Sequence, residues 1–281
     1  MQRGTALVTG SSSGFGLLTC VALVSRGFEV WASMRDLDRA GLLRSALMAS
    51  GFGLDRVRFI ALDVADPEQS AAAVDHILAA SGAVDVLVNN AGTLLAGFAE
   101  DVDEAGLREQ FETNFFGLVR LTRGLLPAMR ERRWGRVINL SSVSGRRGLP
   151  DHSAYCASKF AVEGWSEALR YELIPYNVFV SLVEPGMFPS TGIFARAQRA
   201  EPEGSVHAKS RASLAAATAK LRKLFARADP RAVAEVVATI ALADEPRLRY
   251  PVGVDAWAST LGFGPAIQAW WEQAMIQVFR E

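Results

Sequence analysis

Tyr155 and Lys159, in the stretch Tyr155-Cys156-Ala157-Ser158-Lys159, are a phenol and an ammonium spaced to share one face of a helix, because residues i and i+4 are neighbours on a helix surface. A cation beside a phenol favours the phenolate, so the lysine is expected to pull the tyrosine below its usual pKa of ~10. Ser142, thirteen residues upstream, adds a hydroxyl able to hold a carbonyl oxygen. Together the three groups can give a proton to an oxygen at a carbonyl–alcohol centre, or take one from it. Such a site interconverts carbonyls and alcohols only if the chain also holds a hydride carrier. Lysine itself is scarce here, at positions 159, 209, 220 and 223 alone. Arginine's planar fork is no substitute for the compact ammonium that this chemistry uses.

The elements that must position these groups are legible as apolar runs of strand length. They lie at residues 5–9 (TALVT), 28–33 (FEVWAS), 57–62 (VRFIAL), 84–89 (VDVLVN), 136–140 (RVINL), 178–183 (VFVSLV) and, more briefly, 249–252. Near-continuous aliphatic content, rather than strict alternation, is what burial on both faces of a parallel sheet predicts. Between the runs lie helix-like stretches with starts such as Asp66-Pro67-Glu68, a capping side chain followed by proline. The alternation predicts an α/β fold, a doubly wound parallel sheet in a single domain with no internal repeat. Residues 187–227 break the rhythm with Pro189, Gly192, Pro202 and Gly204, then Ala- and Lys/Arg-rich helical sequence. An insertion of that length after a strand end reads as a helical substrate lid.

Half of the 281 residues are hydrophobic, enough for a large core, and 30 basic side chains balance 30 acidic ones. The balance gives no electrostatic reason to expect a nucleic-acid partner. Cys20 and Cys156 are in no paired or metal-type spacing, so a reducing compartment and no metal site are expected. No apolar run reaches the ~18 residues of a membrane span, and the N-terminus does not read as a secretory leader. A soluble, cytoplasmic protein is expected. The apolar segment 255–281, with Trp257, Phe263, Trp270, Trp271 and Phe279, reads as core or subunit packing. Cys156 reads as a small buried filler. His152 reads as a surface-loop histidine, with the substrate side as the alternative.

The first strand runs into Gly10-Ser11-Ser12-Ser13-Gly14-Phe15-Gly16 and then an apolar helix. Glycines there let the backbone turn tightly and approach a pyrophosphate, which the helix N-terminus stabilises with free N–H groups. The spacing, G-x3-G-x-G, is not the general dinucleotide fingerprint.

Residues 9–16 (TGSSSGFG), 89–92 (NNAG), Asn114 in TNFFG, Ser142 in NLSS, the YCASK stretch and Pro185-Gly186 resemble the successive motifs of the short-chain dehydrogenase/reductase family, in the family's order. The resemblance implies a single Rossmann-like domain of about seven strands. It implies Tyr155 as general acid/base, and Lys159 as the group that lowers its pKa and holds the nicotinamide ribose. Ser142 would position the carbonyl, and Asn114 would anchor a water on the proton path. It further implies cofactor contacts from Gly10, Ser11, Ser13, Gly14, Phe15, Gly16, Asp63, Val64, Asn90, Ala91 and Gly92, and from Pro185, Gly186, Phe188 and Ser190, with Thr191 an alternative to Ser190. In members that prefer NAD a carboxylate ends the second strand; here that position is Met34, followed by Arg35. A planar cation suits a phosphate, so NADP(H) is expected, with NAD(H) possible and Asp36 read as a helix cap.

The stretches VWASMRDL and YCASKFAVEGWSEAL resemble most the branch that contains hydroxysteroid and retinol dehydrogenases. That implies a small hydrophobic carbonyl or alcohol substrate, steroid-, retinoid- or lipid-like. The family also implies a homodimer or homotetramer. The competing readings are a non-catalytic dinucleotide-binding sensor or scaffold and a lyase or epimerase on the same fold. Retention of all four side chains of the implied site weighs against the first, and net cofactor consumption separates an oxidoreductase from both.

Overall fold

A computed structural model describes residues 4–260 and Gln273. In chain order the elements are β1 (Thr5–Val8), α1 (Gly14–Ser25), β2 (Glu29–Met34), α2 (Gly41–Ala49), β3 (Val57–Ala61), α3 (Pro67–Ser81), β4 (Val86–Asn89) and β5 (Leu95–Ala96). There follow α4 (Glu104–Phe111), α5 (Gly117–Arg132), β6 (Gly135–Leu140), α6 (Ser153–Leu173), β7 (Val178–Pro185) and β8 (Gln198–Arg199). The last are α7 (Ala208–Leu224), α8 (Arg231–Leu242), β9 (Arg249–Val252) and α9 (Val254–Thr260). Phe263, Trp270, Trp271 and Phe279, expected to pack the core or a subunit face, lie outside the described residues. Among the described residues no helix is long and apolar enough to cross a membrane.

Seven strands pair in parallel in the order β3-β2-β1-β4-β6-β7-β9, the doubly wound sheet that the apolar runs predict. Side chains alternate across it. Ala6 and Val8 join a core built on α1 and α8 through Leu23, Val24, Val233 and Val237. Leu7 joins the opposite core, built on α3, α5 and α6 through Ile77, Leu121, Leu125 and Leu169. Each fully buried leucine contributes about 1.5–3 kcal/mol, so packing on both faces, rather than propensity, fixes the helices. The strand order reverses at β1, where β2 lies on one side and β4 on the other. That opens a crevice above the carboxyl ends of β1 and β4, where folds of this kind take ligands.

Two polar ties hold the centre of the sheet. Asn89 Nδ2 at the end of β4 donates to Asn139 Oδ1 in β6 (2.9 Å) and to Thr122 Oγ1 in α5 (3.1 Å). Asn139 Nδ2 in turn donates to Ser166 Oγ in α6 (2.8 Å). The expected caps are in place: Asp66 Oδ1 accepts from the N–H groups of Glu68 and Gln69 at the start of α3, and Asp36 Oδ1 accepts from Asp38 N.

Residues 187–227 contain a 3-10 turn (Pro189–Thr191), β8 and α7. β8 forms a two-residue parallel ladder with β5, too short to leave a hydrophobic pattern and so invisible in the sequence. Beyond it, Ser205 Oγ donates to Asp101 Oδ2 (2.9 Å), and Arg211 forms an ion pair with the same carboxylate. α7 has no buried residue of its own.

Candidate active site

The glycine-rich turn is built mainly from main chain. Thr9 Oγ1 accepts from the N–H groups of Asn90 and Ala91 (2.9 Å each), while Asn90 Nδ2 donates to Thr9 O (2.7 Å) and Gly10 O (3.1 Å). Gly10 has φ +68°, in the left-handed region that favours glycine. A Cβ on Gly16 would lie 2.3 Å from Gly10 O and 2.5 Å from Asn90 Nδ2, so any side chain there displaces the turn. Ser13 precedes α1 with extended backbone and makes no side-chain cap, and the first turn of the helix carries no acid. The positive end of α1 is therefore uncompensated by side chains and faces the crevice.

The crevice is one end of a cavity of about 970 Å³, walled by Gly10, Ser12, Ser13, Gly14 and Phe15 at the turn. Asp63, Val64, Asn90, Ala91 and Gly92 wall its adjoining edge, and Met34, Arg35 and Arg39 stand at the end of β2. Two expected contacts are placed elsewhere. Ser11 is buried beneath the turn: its N–H donates to Ser33 O (2.9 Å) and its hydroxyl to Val8 O (2.8 Å), so Ser12 reaches the wall instead. Gly16 acts behind the wall through the close approach to Gly10. At the other end, Pro185, Gly186, Phe188 and Thr191 line the cavity. Ser190, expected to take the hydroxyl position, is exposed, whereas Thr191 is buried with its hydroxyl donating to Phe188 O (2.9 Å). The 3-10 turn over Pro189–Thr191 rotates the two side chains apart.

Tyr155 and Lys159 lie in the first two turns of α6, both buried and both on the cavity wall. Lys159 Nζ lies 5.8 Å from the Tyr155 ring centroid and donates to Leu140 O at the end of β6 (2.7 Å). The expected lowering of the phenol pKa is not what the surroundings give. Burial pushes Tyr155 up to about 12 against a smaller downward pull from the Ser142 hydroxyl. Burial also lowers Lys159 to about 8, opposed by the nearby Glu163 carboxylate. Both shifts have one cause, loss of water around a charged form. Ser142 begins a 3-10 turn, where its Oγ accepts from Ser144 N (3.1 Å). Ser141 turns its hydroxyl the other way, towards Gly145 and the Glu163 side chain.

Asn114 lies in a π-helical turn (Glu112–Phe116) between α4 and α5, behind the wall rather than on it. Its Oδ1 accepts from Thr93 N (2.8 Å), and Nδ2 donates to Thr93 O (3.0 Å) and Ser158 Oγ (3.1 Å). Ser158 Oγ donates to Tyr155 O (2.7 Å). With both amide protons engaged, the side chain is a brace between the 90–93 turn and α6.

A family model for the short chain dehydrogenases matches residues 4–202. The chain belongs to this family. Human 17-beta-hydroxysteroid dehydrogenase type 1 is 38% identical over 258 residues, covering 89% of this chain and 77% of that protein. Bovine retinol dehydrogenase 8 is 44% identical over 186 residues, covering 65% of this chain and 58% of the relative. A metagenomic short-chain oxidoreductase solved in complex with NADP superposes with a TM-score of 0.70 at 28% identity, covering 89% of this chain and 97% of that one. The protein is thus a short-chain oxidoreductase of CH–OH and C=O groups, from the branch of the hydroxysteroid and retinol dehydrogenases, with a nicotinamide dinucleotide as cofactor.

Sequence reading missed several residues of this dehydrogenase site. Arg39, in the short 3-10 turn that follows β2, lines the same rim as Arg35. Asp255, in the segment read only as apolar, accepts from Met187 N through Oδ2 (2.7 Å), and its carboxylate occupies the space a Cβ on Gly186 would need. His152 does line the cavity, the less expected of its two placements, with Nδ1 3.1 Å from Pro150 O. Over the outer part of the cavity lies α7, contributing Leu214, Thr218, Leu221 and Phe225. Only the i, i+4, i+7 spacing of these residues hinted at one inward face.

Proposed function

We propose that the protein is an NADP(H)-dependent oxidoreductase that interconverts a ketone or aldehyde and an alcohol on an apolar steroid-, retinoid- or lipid-like molecule. The observation that carries this reading is the position of Tyr155. It is a buried phenol near Ser142, where a glycine-walled crevice meets an apolar recess under α7.

The crevice suits a dinucleotide because side chains have been removed wherever a Cβ would intrude on the turn, and because the N-terminus of α1 opens onto it. Gly10, Ser12, Ser13, Gly14 and Phe15 would hold the pyrophosphate, and Asp63, Val64, Asn90, Ala91 and Gly92 the adenosine. Pro185, Gly186, Phe188 and Thr191 would hold the nicotinamide end. Arg35 and Arg39, beside an uncharged Met34, suit the additional phosphate of NADP. When bound there, the dinucleotide supplies or accepts the hydride.

Tyr155 transfers its proton to the substrate oxygen as negative charge develops on it, and Ser142 donates a hydrogen bond to the same atom. A phenol held at about 12 is protonated throughout the neutral range, the form that gives a proton when a carbonyl is reduced, and the same group takes the proton back when the alcohol is oxidised. Lys159 presents its ammonium to the ribose side of the pocket, and Asn114 braces the first turn of α6. The segment 187–227 serves as the substrate lid.

The test is a panel of apolar ketones and alcohols assayed with NADPH and NADH at the nicotinamide absorbance band. Stoichiometric consumption is expected. Tyr155→Phe should lower turnover by about 10²–10⁴-fold while cofactor affinity is retained. Substrate conversion without net cofactor change would move the protein to the lyase or epimerase class, and cofactor binding with no conversion at all would make it a sensor. The same reading places the protein in the cytoplasm, where its unpaired thiols Cys20 and Cys156 stay reduced. It also expects a homodimer or homotetramer, supported by the exposed apolar side chains Leu107, Phe116, Phe160 and Tyr171 on and between α4, α5 and α6.

A further inference from the structure

The inner face of α7 has Leu214, Thr218, Leu221 and Phe225 along it, with Arg211 near one end and Arg222 near the other. The helix as a whole contains five basic side chains and no carboxylate. Its two inward arginines have different surroundings. Arg211 is neutralised in place by Asp101, in an ion pair that is mostly buried on both sides. Arg199, lower on the same wall, is likewise matched by Glu201. Arg222 is in no ion pair among the described residues, and its Nε, like that of Arg211, is buried without a hydrogen-bond partner. Its guanidinium lies over the Phe194 ring, 4.7 Å from the centroid.

Stacking on an aromatic face fixes the guanidinium plane and leaves its N–H edge for an acceptor. Phe194 itself packs on the cluster that contains Tyr155, Leu94 and Ala96. An unneutralised cation is therefore held on a ring that packs against the cluster containing the reacting phenol, on the wall of the same cavity. An arginine with no task in substrate binding would turn its buried N–H to water or to a carboxylate, as Arg211 and Arg199 do for their charge. A guanidinium edge accepts two oxygens of one carboxylate or phosphate in parallel, which is the ligand that matches it best.

We propose that Arg222 binds an anionic group of the substrate, so that the preferred substrates are apolar carbonyls or alcohols bearing a carboxylate or a phosphate near the reacting carbon. The inference rests on the oxidoreductase reading above and narrows its substrate class.

The test uses straight-chain keto acids in which the ketone and carboxylate are separated by increasing numbers of methylenes. Each acid is paired with its methyl ester and with the keto phosphate of matching spacing. Cofactor consumption and the thermal shift of the protein are both measured, for the wild type, Arg222→Gln and Arg222→Lys. In the wild type the best acid or phosphate should exceed its ester in kcat/KM by about tenfold, mostly through KM. Arg222→Gln should bring that ratio close to one, and Arg222→Lys should keep part of it. Whether carboxylate or phosphate gains more identifies the headgroup. Because α7 has no residue in the core, both variants are expected to retain the wild-type Tm. Equal acid and ester rates in the wild type, or an acid preference that survives Arg222→Gln, overturns the proposal. If no compound in the panel is turned over, the oxidoreductase reading fails. The anion site is then decided by the thermal shift, which the acids, but not the esters, should raise in the wild type and not in Arg222→Gln.

Discussion

The turn between β1 and α1 and the helix α7 face the same cavity from opposite sides, and they are held there by different means. Hydrogen bonds from Thr9 and Asn90 lock the turn, and its closest approach, at Gly16, leaves no room for a Cβ. On the other side α7 rests on the body with no buried residue, tied near its start by Arg211 to Asp101. One wall is made of backbone, which recognises what every dinucleotide shares. The other is made of side chains, which can be exchanged. On the proposed function, the difference would separate the part of the cavity that sets the chemistry from the part that selects the molecule.

The sharpest way to break this contrast is to place a side chain in the backbone wall. Gly16→Val is expected to raise the Kd for both nicotinamide cofactors by about a hundredfold or more and to lower the Tm, read by titration calorimetry and thermal melts. Next in size is the rim of that wall. Arg35→Ala should weaken NADPH by about tenfold, the size of one exposed charge-assisted contact, and NADH hardly at all. An equal loss with both cofactors would remove Arg35 from the phosphate role.

On the side-chain wall the expected effect is smaller and of another kind. Leu214→Ala removes about 1 kcal/mol of apolar contact, so KM for an apolar ketone should rise about fivefold while cofactor Kd and Tm stay as they are. A change in cofactor Kd would show that the two walls are coupled.

The smallest effect lies behind the reactive wall. Glu163, one turn beyond Lys159 on α6, is buried, with Oε2 accepting from Arg249 Nε (3.0 Å) and Oε1 unpaired. Burial, with Glu184 nearby, pushes its carboxyl from 4.5 up to about 7, against the pull of the Ser141 hydroxyl and of Arg249. Between those values the folded chain keeps a proton there that the unfolded chain has released. The group's contribution to stability is therefore greatest in acid and is lost as the pH rises towards 7. Glu163→Gln removes that dependence. Its Tm relative to wild type should be higher at pH 8 than at pH 5 by ~2–4 °C.

The same division explains what could be read before the structure. The seven strands and the glycine turn are written in local pattern and spacing, because burial on both sheet faces demands continuous apolar runs and a close backbone approach demands glycine. The pairing of Tyr155 with Lys159 follows from helix geometry alone. What depended on packing was not legible. The high pKa of Tyr155 comes from lost solvent, and sequence spacing reports only the neighbouring lysine. Spacing points to Ser11 rather than Ser12, and to Ser190 with Thr191 as its alternative; only the folded turns fix which side chain reaches the cavity. Asp255, joined to Met187 N across 68 positions of chain, and Arg222, stacked on Phe194, have partners that no local pattern connects.

The absence of any core residue from α7 has a bearing on how this chain can change. Most substitutions that alter an enzyme's preference also disturb its folding, because the residues touching the ligand serve in the core as well. On the proposed lid helix α7, by contrast, the cavity-facing residues have no share in the core. A library confined to residues 208–224 would sample new specificities against a nearly constant folding background, so the distribution of Tm values among its members should be narrow while that of their substrate preferences is wide.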